Sequence, residues 1–496
     1  MKLSKQNNSL DVMLLAFIRL LTILVNMLST AILSRNLPLD SYGTYASANL
    51  VVNLFTTLTQ LGLMDAVNYY YHQKKLDDRD CLNTIFFIQI CIGIGCAGVI
   101  LAGQRGITAY FDNPGLAGLY GYLALRPMMG NLFNSLLVLQ MSIGKARAVA
   151  VRNALMALAK LVTILITSFL TRDIATIFIA YLLLDGITLF YFYQNFRRES
   201  FAIDPFSFKR ELIRPIMAFA VPMGVYVMAN SLSRDMDKLV IGYFENSQTM
   251  AVYANCSTLL PFDIVSAAFM TIIIPIMTQL IQNEEYKRGA GLFGAYLRVG
   301  FITTFMFTGA CIIMAEEVIK LLYGDQYLSG KGIFILYTFV DMAKFAGVTL
   351  VLTAKGRTKT LMVISLSALA CNALLNPVLY WIMGVPGPAV ATVLVTLGTT
   401  AVLLGISASV LKISLGALLE WKCLSKLAVF LLIAMAACAV VRNVMVQMQM
   451  NFFVVLICGG VTACGLSLLL CRKDLLDAMR SLNRERVEKK RQEYGH

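Results

Sequence analysis

Apolar runs long enough to cross a bilayer recur from one end of the chain to the other. They fall at about 11–34, 42–70, 82–103, 117–142, 148–170, 174–195, 214–242, 249–280, 290–314, 331–353, 360–382, 388–410, 424–441 and 452–471. A helical span needs roughly 20 apolar residues, and a segment in hydrocarbon must satisfy its own backbone polar groups. These runs therefore predict an all-α polytopic membrane protein with about 14 transmembrane helices. Composition agrees: 58% of the residues are hydrophobic and 14% charged, against about 45–50% and about 25% in soluble domains. The long run at 249–280 is expected to kink at Pro261 or Pro275. The first run holds Arg19 and ends in Ser34-Arg35-Asn36 without a small-x-small site, so it reads as a retained span rather than a cleaved signal.

A formal net charge of +14 raises nucleic acid as a partner. The placement of the charge argues against it, because Lys and Arg sit in short loops between spans and in the last stretch of the chain. Taken by alternate loops, one set collects Lys2, Lys5, Lys74, Lys75, Arg79, Lys145, Arg147, Arg197, Arg198, Lys209, Arg210, Arg214, Lys287, Arg288, Lys355, Arg357, Lys359, Lys412, Lys422 and the tail from Arg472 to Arg491. The other holds Arg35, Arg105, Arg172, Lys320, Lys331 and Arg442, an imbalance of roughly four to one. Basic loops stay inside, so both termini are expected in the cytoplasm and the number of spans is expected to be even. The 11 Cys follow no metal or disulfide spacing, and 2 His leave little for a metal or a catalytic base. No cofactor is expected.

Short matches recur in order along the chain. Asn26-Met-Leu28-Ser29 pairs with Asn230-Ser-Leu232-Ser233, and Tyr42-Gly43-Thr-Tyr45-Ala46 with Met250-Ala251-Val-Tyr253-Ala254. Gly144-Lys145-Ala-Arg147 pairs with Gly356-Arg357-Thr-Lys359, and Ile174-Ala175-Thr176 with Val390-Ala391-Thr392. Six helices separate the copies, an even number, so the copies are parallel repeats. The expected organisation is a six-helix bundle at 1–200, a second at 201–411, two further helices at 412–471 and a basic cytoplasmic tail at 472–496. Halves of this kind rock against one another around a central cavity.

Three stretches carry a family resemblance. The first runs from Ala31-Ile-Leu-Ser-Arg35 through Asp40-Ser-Tyr42-Gly43-Thr-Tyr45-Ala46 to Gln60-Leu-Gly62-Leu-Met-Asp65-Ala66. The second is Asp237-Lys-Leu-Val-Ile-Gly242-Tyr-Phe. The third joins Gly356-Arg-Thr-Lys359, Asn372-Ala-Leu-Leu-Asn376-Pro377 and Gly384-Val-Pro-Gly387-Pro-Ala-Val-Ala391-Thr392. Together they resemble the polysaccharide-transport, Wzx-like oligosaccharide flippase branch of the multidrug/oligosaccharidyl-lipid/polysaccharide exporter superfamily. The resemblance implies a bacterial inner-membrane protein that flips a polyprenyl-diphosphate-linked oligosaccharide for O-antigen, capsule or exopolysaccharide synthesis. Its implied surroundings are the lipid bilayer, a polysaccharide polymerase and glycosyltransferases, with coupling to a proton or sodium gradient.

An ionisable residue inside a span costs about 2.5–3.5 kcal/mol on insertion scales, so each marks a candidate site. The basic candidates for substrate binding are Arg19, Arg126, Lys160, Arg298 and Lys344; the acidic candidates for ion coupling are Asp185, Asp237, Asp263 and Asp341. Arg19 leads, since no acid stands three or four residues away and a guanidinium suits a diphosphate. The structural alternative pairs it with an acid on another helix, such as Asp185. Asp341 and Lys344 are spaced to satisfy each other, and Asp263, beside Pro261, is the leading candidate for ion coupling. Five cations against four carboxylates lean weakly toward an anionic substrate.

Two other functions compete. A cation-coupled multidrug exporter would share the fold and prefer an acidic cavity. A membrane glycosyltransferase or polymerase would need a large loop bearing carboxylates, and the chain shows no such loop, P-loop or nucleophile elbow. No enzymatic activity is expected.

Overall fold

Backbone polar groups that cannot reach water must bond within their own segment. Every regular element among the described residues is accordingly a helix, and none is a strand. The computed structural model describes residues 8–73, 78–171, 173–198, 203–262 and 264–494. Some helical side chains, Lys344 among them, lie outside the described set.

The chain packs as two compact units, Met1–Ala254 with Leu322–Gln326, and Asn255–Leu321 with Tyr327–His496. The first holds α1 (Asn8–Asn36), α2 (Leu39–Gln60), α3 (Leu63–Gln73), α4 (Asp78–Ala102) and α5 (Gln104–Tyr110). It continues with α6 (Tyr120–Ser142), α7 (Ala146–Leu170), α8 (Ile174–Arg198), α9 (Arg210–Phe244) and most of α10 (Ser247–Cys256). α2 stops because Leu61 and Gly62 both take left-handed φ, 43° and 68°, which sets α3 at a 43° bend. Leu63, Val67, Ile85, Leu139, Phe192 and Ile216 are buried in one apolar core. α9 packs against α2, α3 and α4. Polar side chains tie the interior: Gln89 Nε2 donates to Ser135 Oγ at 2.6 Å, and Asn131 Nδ2 to Thr59 Oγ1 at 2.8 Å. Outside, Leu155, Val162 and Ile166 on α7 and Leu183, Ile187 and Phe190 on α8 are all exposed. Large apolar side chains left this exposed on the outside are the pattern of a protein in lipid.

The second unit holds α11 (Ile264–Gln282), α12 (Tyr286–Ile313), all of α13 (Ala315–Leu322) but its last residue, α14 (Lys331–Ala343) and α15 (Leu350–Ala354). α16 (Thr358–Met383), α17 (Pro386–Val410), α18 (Leu415–Leu419), α19 (Trp421–Gln447) and α20 (Phe452–Tyr494) complete it. α12 is its buried axis, with Phe293, Tyr296 and Ile302 in a core shared with Val351, Leu427, Cys471, Ala478 and Leu482. The expected tail is thus a continuation of the last helix, and its first turns bury one face. Lys426 Nζ reaches Asp474 Oδ2 at 2.9 Å from α19.

Among the described residues ten helices are long and apolar enough to cross a membrane, or eleven if the bent α2–α3 pair counts as one span. The expected fourteen is not reached on length and hydropathy alone. The other expected spans fall on α6 and on two interrupted stretches, α10–α11 and α14–α15. Pro261 lies in the first interruption, while Pro275 sits inside α11. The chain is a multi-pass membrane protein.

Candidate functional site

Within the first unit, α1, α2, α6, α7 and α8 enclose a polar cavity of about 280 Å³. Asn26 from α1 and Tyr45, Asn49 and Asn53 from α2 line one part, and Tyr122, Arg126, Lys160 and Tyr181 another. Arg126 is carried by a loosened stretch of α6: Pro127 has no N–H, so the Leu123 carbonyl lacks its usual helical donor. Arg126 Nε stands 3.1 Å from Asp185 Oδ2 of α8. The N–H does not point along that line, and Oδ2 gains no hydrogen bond among the described residues. The pair is held by charge alone. Tyr122, one turn back, hydrogen-bonds the same guanidinium.

Lys160 lies over the Tyr181 ring, its Nζ 5.3 Å from the centroid, a cation–π arrangement. Among the described residues no carboxylate pairs with it. Tyr181 in turn hydrogen-bonds Tyr45. Two turns before Lys160, Arg152 rests 3.7 Å above the Phe133 ring and donates to Asn153 Oδ1 at 2.9 Å. The lining therefore holds two cations and no carboxylate among the described residues, with Asp185 reaching it through Arg126. Small-molecule sites occupy about 300–1,000 Å³, so a space of this size suits part of a large substrate. Phenols and amides around the cations supply donors and acceptors for hydroxyls.

The structure brings together Arg126, Lys160 and Asp185 of the expected site residues. Arg19 is exposed on α1 and does not line the cavity. Asp237 is buried on α9, next in sequence to Lys238, which pairs with Asp235 at 3.0 Å. Two others belong to the second unit. Arg298 on α12 lies 3.9 Å from Glu420. Asp341, buried near the end of α14, accepts the Leu260 N–H at 2.9 Å and so caps the interruption before α11. Asp263 and the Lys344 side chain lie outside the described residues.

The sequence reading missed Tyr45, Asn49, Asn53, Tyr122 and Tyr181, which carry no charge and look like ordinary span residues. Asn26 and Tyr45 did stand in the stretches that matched between repeats, and that was the available signal.

Residues 32–331 match the family described as polysaccharide biosynthesis protein. The chain belongs to this family. Its curated relative Lsg locus putative protein 1 of Haemophilus influenzae is 22% identical over 333 residues, covering 63% of this chain and 76% of the relative. Among solved structures, the family member shares its fold with the lipid II flippase MurJ in an inward closed conformation. That match has a TM-score of 0.66 at 13% identity, over 93% of this chain and 99% of the other. An inward-facing multidrug resistance MATE family transporter of the MOP superfamily gives 0.62 at 14% identity, over 80% and 98%. The MATE multidrug transporter DinF-BH gives 0.58 at 14% identity, over 82% and 96%.

Proposed function

We propose that this polysaccharide biosynthesis protein flips a polyprenyl-diphosphate-linked oligosaccharide from the cytoplasmic to the outer leaflet by alternating access. The carrying observation is the cavity of the first unit, whose lining among the described residues holds Arg126 and Lys160 and no carboxylate, Asp185 standing behind Arg126. A diphosphate is the part of such a substrate that those cations suit, and the surrounding amides and phenols suit sugar hydroxyls. A hydroxyl moved unpaired into hydrocarbon costs about 4–8 kcal/mol, so several sugars cannot cross unaided. A wet, polar cavity removes that barrier.

In this reading the protein is a transporter and not an enzyme. It sits in the bacterial inner membrane with both termini in the cytoplasm, works beside glycosyltransferases and a polymerase, and draws on a proton or sodium gradient. The repeats at 1–200 and 201–411 are the halves that rock. The fold of the MATE transporters also fits a multidrug exporter, but organic cations would be met by a cavity lined with cations.

Disrupting the gene should abolish surface polysaccharide and leave lipid-linked oligosaccharide on the inner leaflet. The wild-type gene should restore export, and a double Arg126→Ala, Lys160→Ala variant at normal membrane level should not. Normal surface polysaccharide in the disrupted strain, together with increased retention of a cationic dye, would replace this reading with the exporter.

A further inference from the structure

One buried carboxylate of the first unit, Asp185, answers the charge of several cations. Arg126 touches Asp185 at 3.1 Å, and Arg152 and Lys160 lie within its electrostatic reach. Asp185 is buried at 5% exposure. A buried ion pair offsets its desolvation only when the geometry is good and the spare lone pairs are satisfied. Here the geometry is poor: Oδ2 is buried and takes no hydrogen bond, although Arg126 Nε is in contact with it. Arg126 by contrast has a second anchor in Tyr122, on its own helix and in the lining. The guanidinium can thus stay in place while the carboxylate is exchanged for another anion.

We propose that Asp185 is an internal counter-ion: it occupies Arg126 in the empty cavity, is displaced by the anionic head group, and drives release by recapturing Arg126. This rests on the anionic substrate proposed above. Asp185 is then a positioning residue that acts through Arg126. Without a competing anion, two unneutralised cations held close together in a partly buried site would hold a diphosphate too tightly to let it go. With the carboxylate present, binding and release are near balance, as a carrier that must unload requires. The exchange involves no covalent step and no proton: one anion replaces another at the same guanidinium.

The test uses purified full-length protein and farnesyl diphosphate as the probe, with export of surface polysaccharide measured in cells. Asp185→Asn should bind the probe roughly tenfold more tightly, the size expected on removing a competing charge, while export falls. Its melting temperature without probe should drop, and the probe should raise it more than in the wild type. Asp185→Glu should return both affinity and export toward wild type. If Asp185→Asn does not fold, Asp185→Ser serves, being small and uncharged. In the Arg126→Gln, Asp185→Asn double variant the gain in affinity should vanish, because the freed guanidinium is gone. Unchanged or weaker binding by folded Asp185→Asn or Asp185→Ser overturns the counter-ion role. Failure of the wild type to bind the probe at all overturns the anionic-substrate reading instead.

Discussion

Gly62 and Gly224 meet backbone to backbone where α2 gives way to α3. A Cβ on Gly224 would lie 2.4 Å from the Leu61 carbonyl carbon, and one on Gly62 would lie 2.3 Å from the Ala220 oxygen. Neither neighbour is a side-chain end that can turn away. Gly224→Ala should therefore destabilise the protein by about 1–3 kcal/mol, the usual range for overpacking. A melt that matches wild type would mean that α9 can shift away from the bend without penalty.

Arg126 and Lys160 face the cavity from two helices, so each should matter to export separately. Arg126→Ala and Lys160→Ala should each lower export by about tenfold at normal membrane level, the loss expected for one charge-assisted contact. Arg19→Ala separates two roles for α1. Export abolished by it places the exposed arginine on the substrate path, whereas normal export removes Arg19 from the clamp and leaves the cavity pair.

Asp341 holds the Leu260 N–H where the backbone is not helical. Leaving that buried donor without an acceptor costs about 1–3 kcal/mol. Asp341→Leu should lower the melting temperature, while Asp341→Asn keeps an acceptor oxygen and should melt near wild type. Gradient dependence measured on Asp341→Asn then reports on ion coupling apart from the structural cap. A changed dependence assigns the charge a coupling role, and an unchanged one leaves the cap alone.

Glu316 on α13 accepts from Lys331 Nζ at 2.6 Å and from Arg442 Nη2 at 3.2 Å. The Lys331 hydrogen bond above all, then the nearby positive charges, hold its carboxyl below the usual value of 4.5. A carboxyl depressed in the folded state contributes stability above its unfolded value, and that contribution is lost as pH falls through the folded value. Melts taken on the acid side of the unfolded value should therefore show a steeper loss in wild type than in Glu316→Gln. Parallel acid limbs would show that this network does not stabilise the fold.

The tail predicts a sharp boundary in truncation. Ala478 and Leu482 are buried with the core of the second unit. Stopping after Arg484 should leave folding and membrane level near wild type, whereas stopping after Arg472 removes a buried Leu and should destabilise by about 2–5 kcal/mol, as large-to-small core changes do. Equal levels for the two truncations would show that this face is dispensable.

Hydropathy made the long helices legible because lipid leaves a span no other way to satisfy its backbone. Interruptions were harder to see. Leu61 gives no sign of a left-handed φ, and the break in 331–353 comes at Lys344–Gly347, where one charge and one glycine are averaged away by the apolar residues on both sides. Pro261 was a usable marker, since a proline withdraws a donor wherever it stands. The site divided along the same line. Arg126, Lys160 and Asp185 stood out because charge inside a span is rare, but their pairing depends on which faces of α6, α7 and α8 converge. The partner of Asp185 proved to be Arg126, which no spacing in the sequence indicates. Tyr45 and Tyr181 were invisible for the opposite reason, as phenols are common in spans whether or not they line a cavity.

α20 runs for 43 residues without a break, about 64 Å at 1.5 Å per residue and about twice the thickness of the hydrocarbon layer. A rod that crosses the bilayer and keeps going is a lever arm. Tilting it by about ten degrees about its N-terminal end sweeps its tip by about 11 Å. A distance probe attached near Tyr494 would therefore magnify motions of the last span too small to follow inside the membrane.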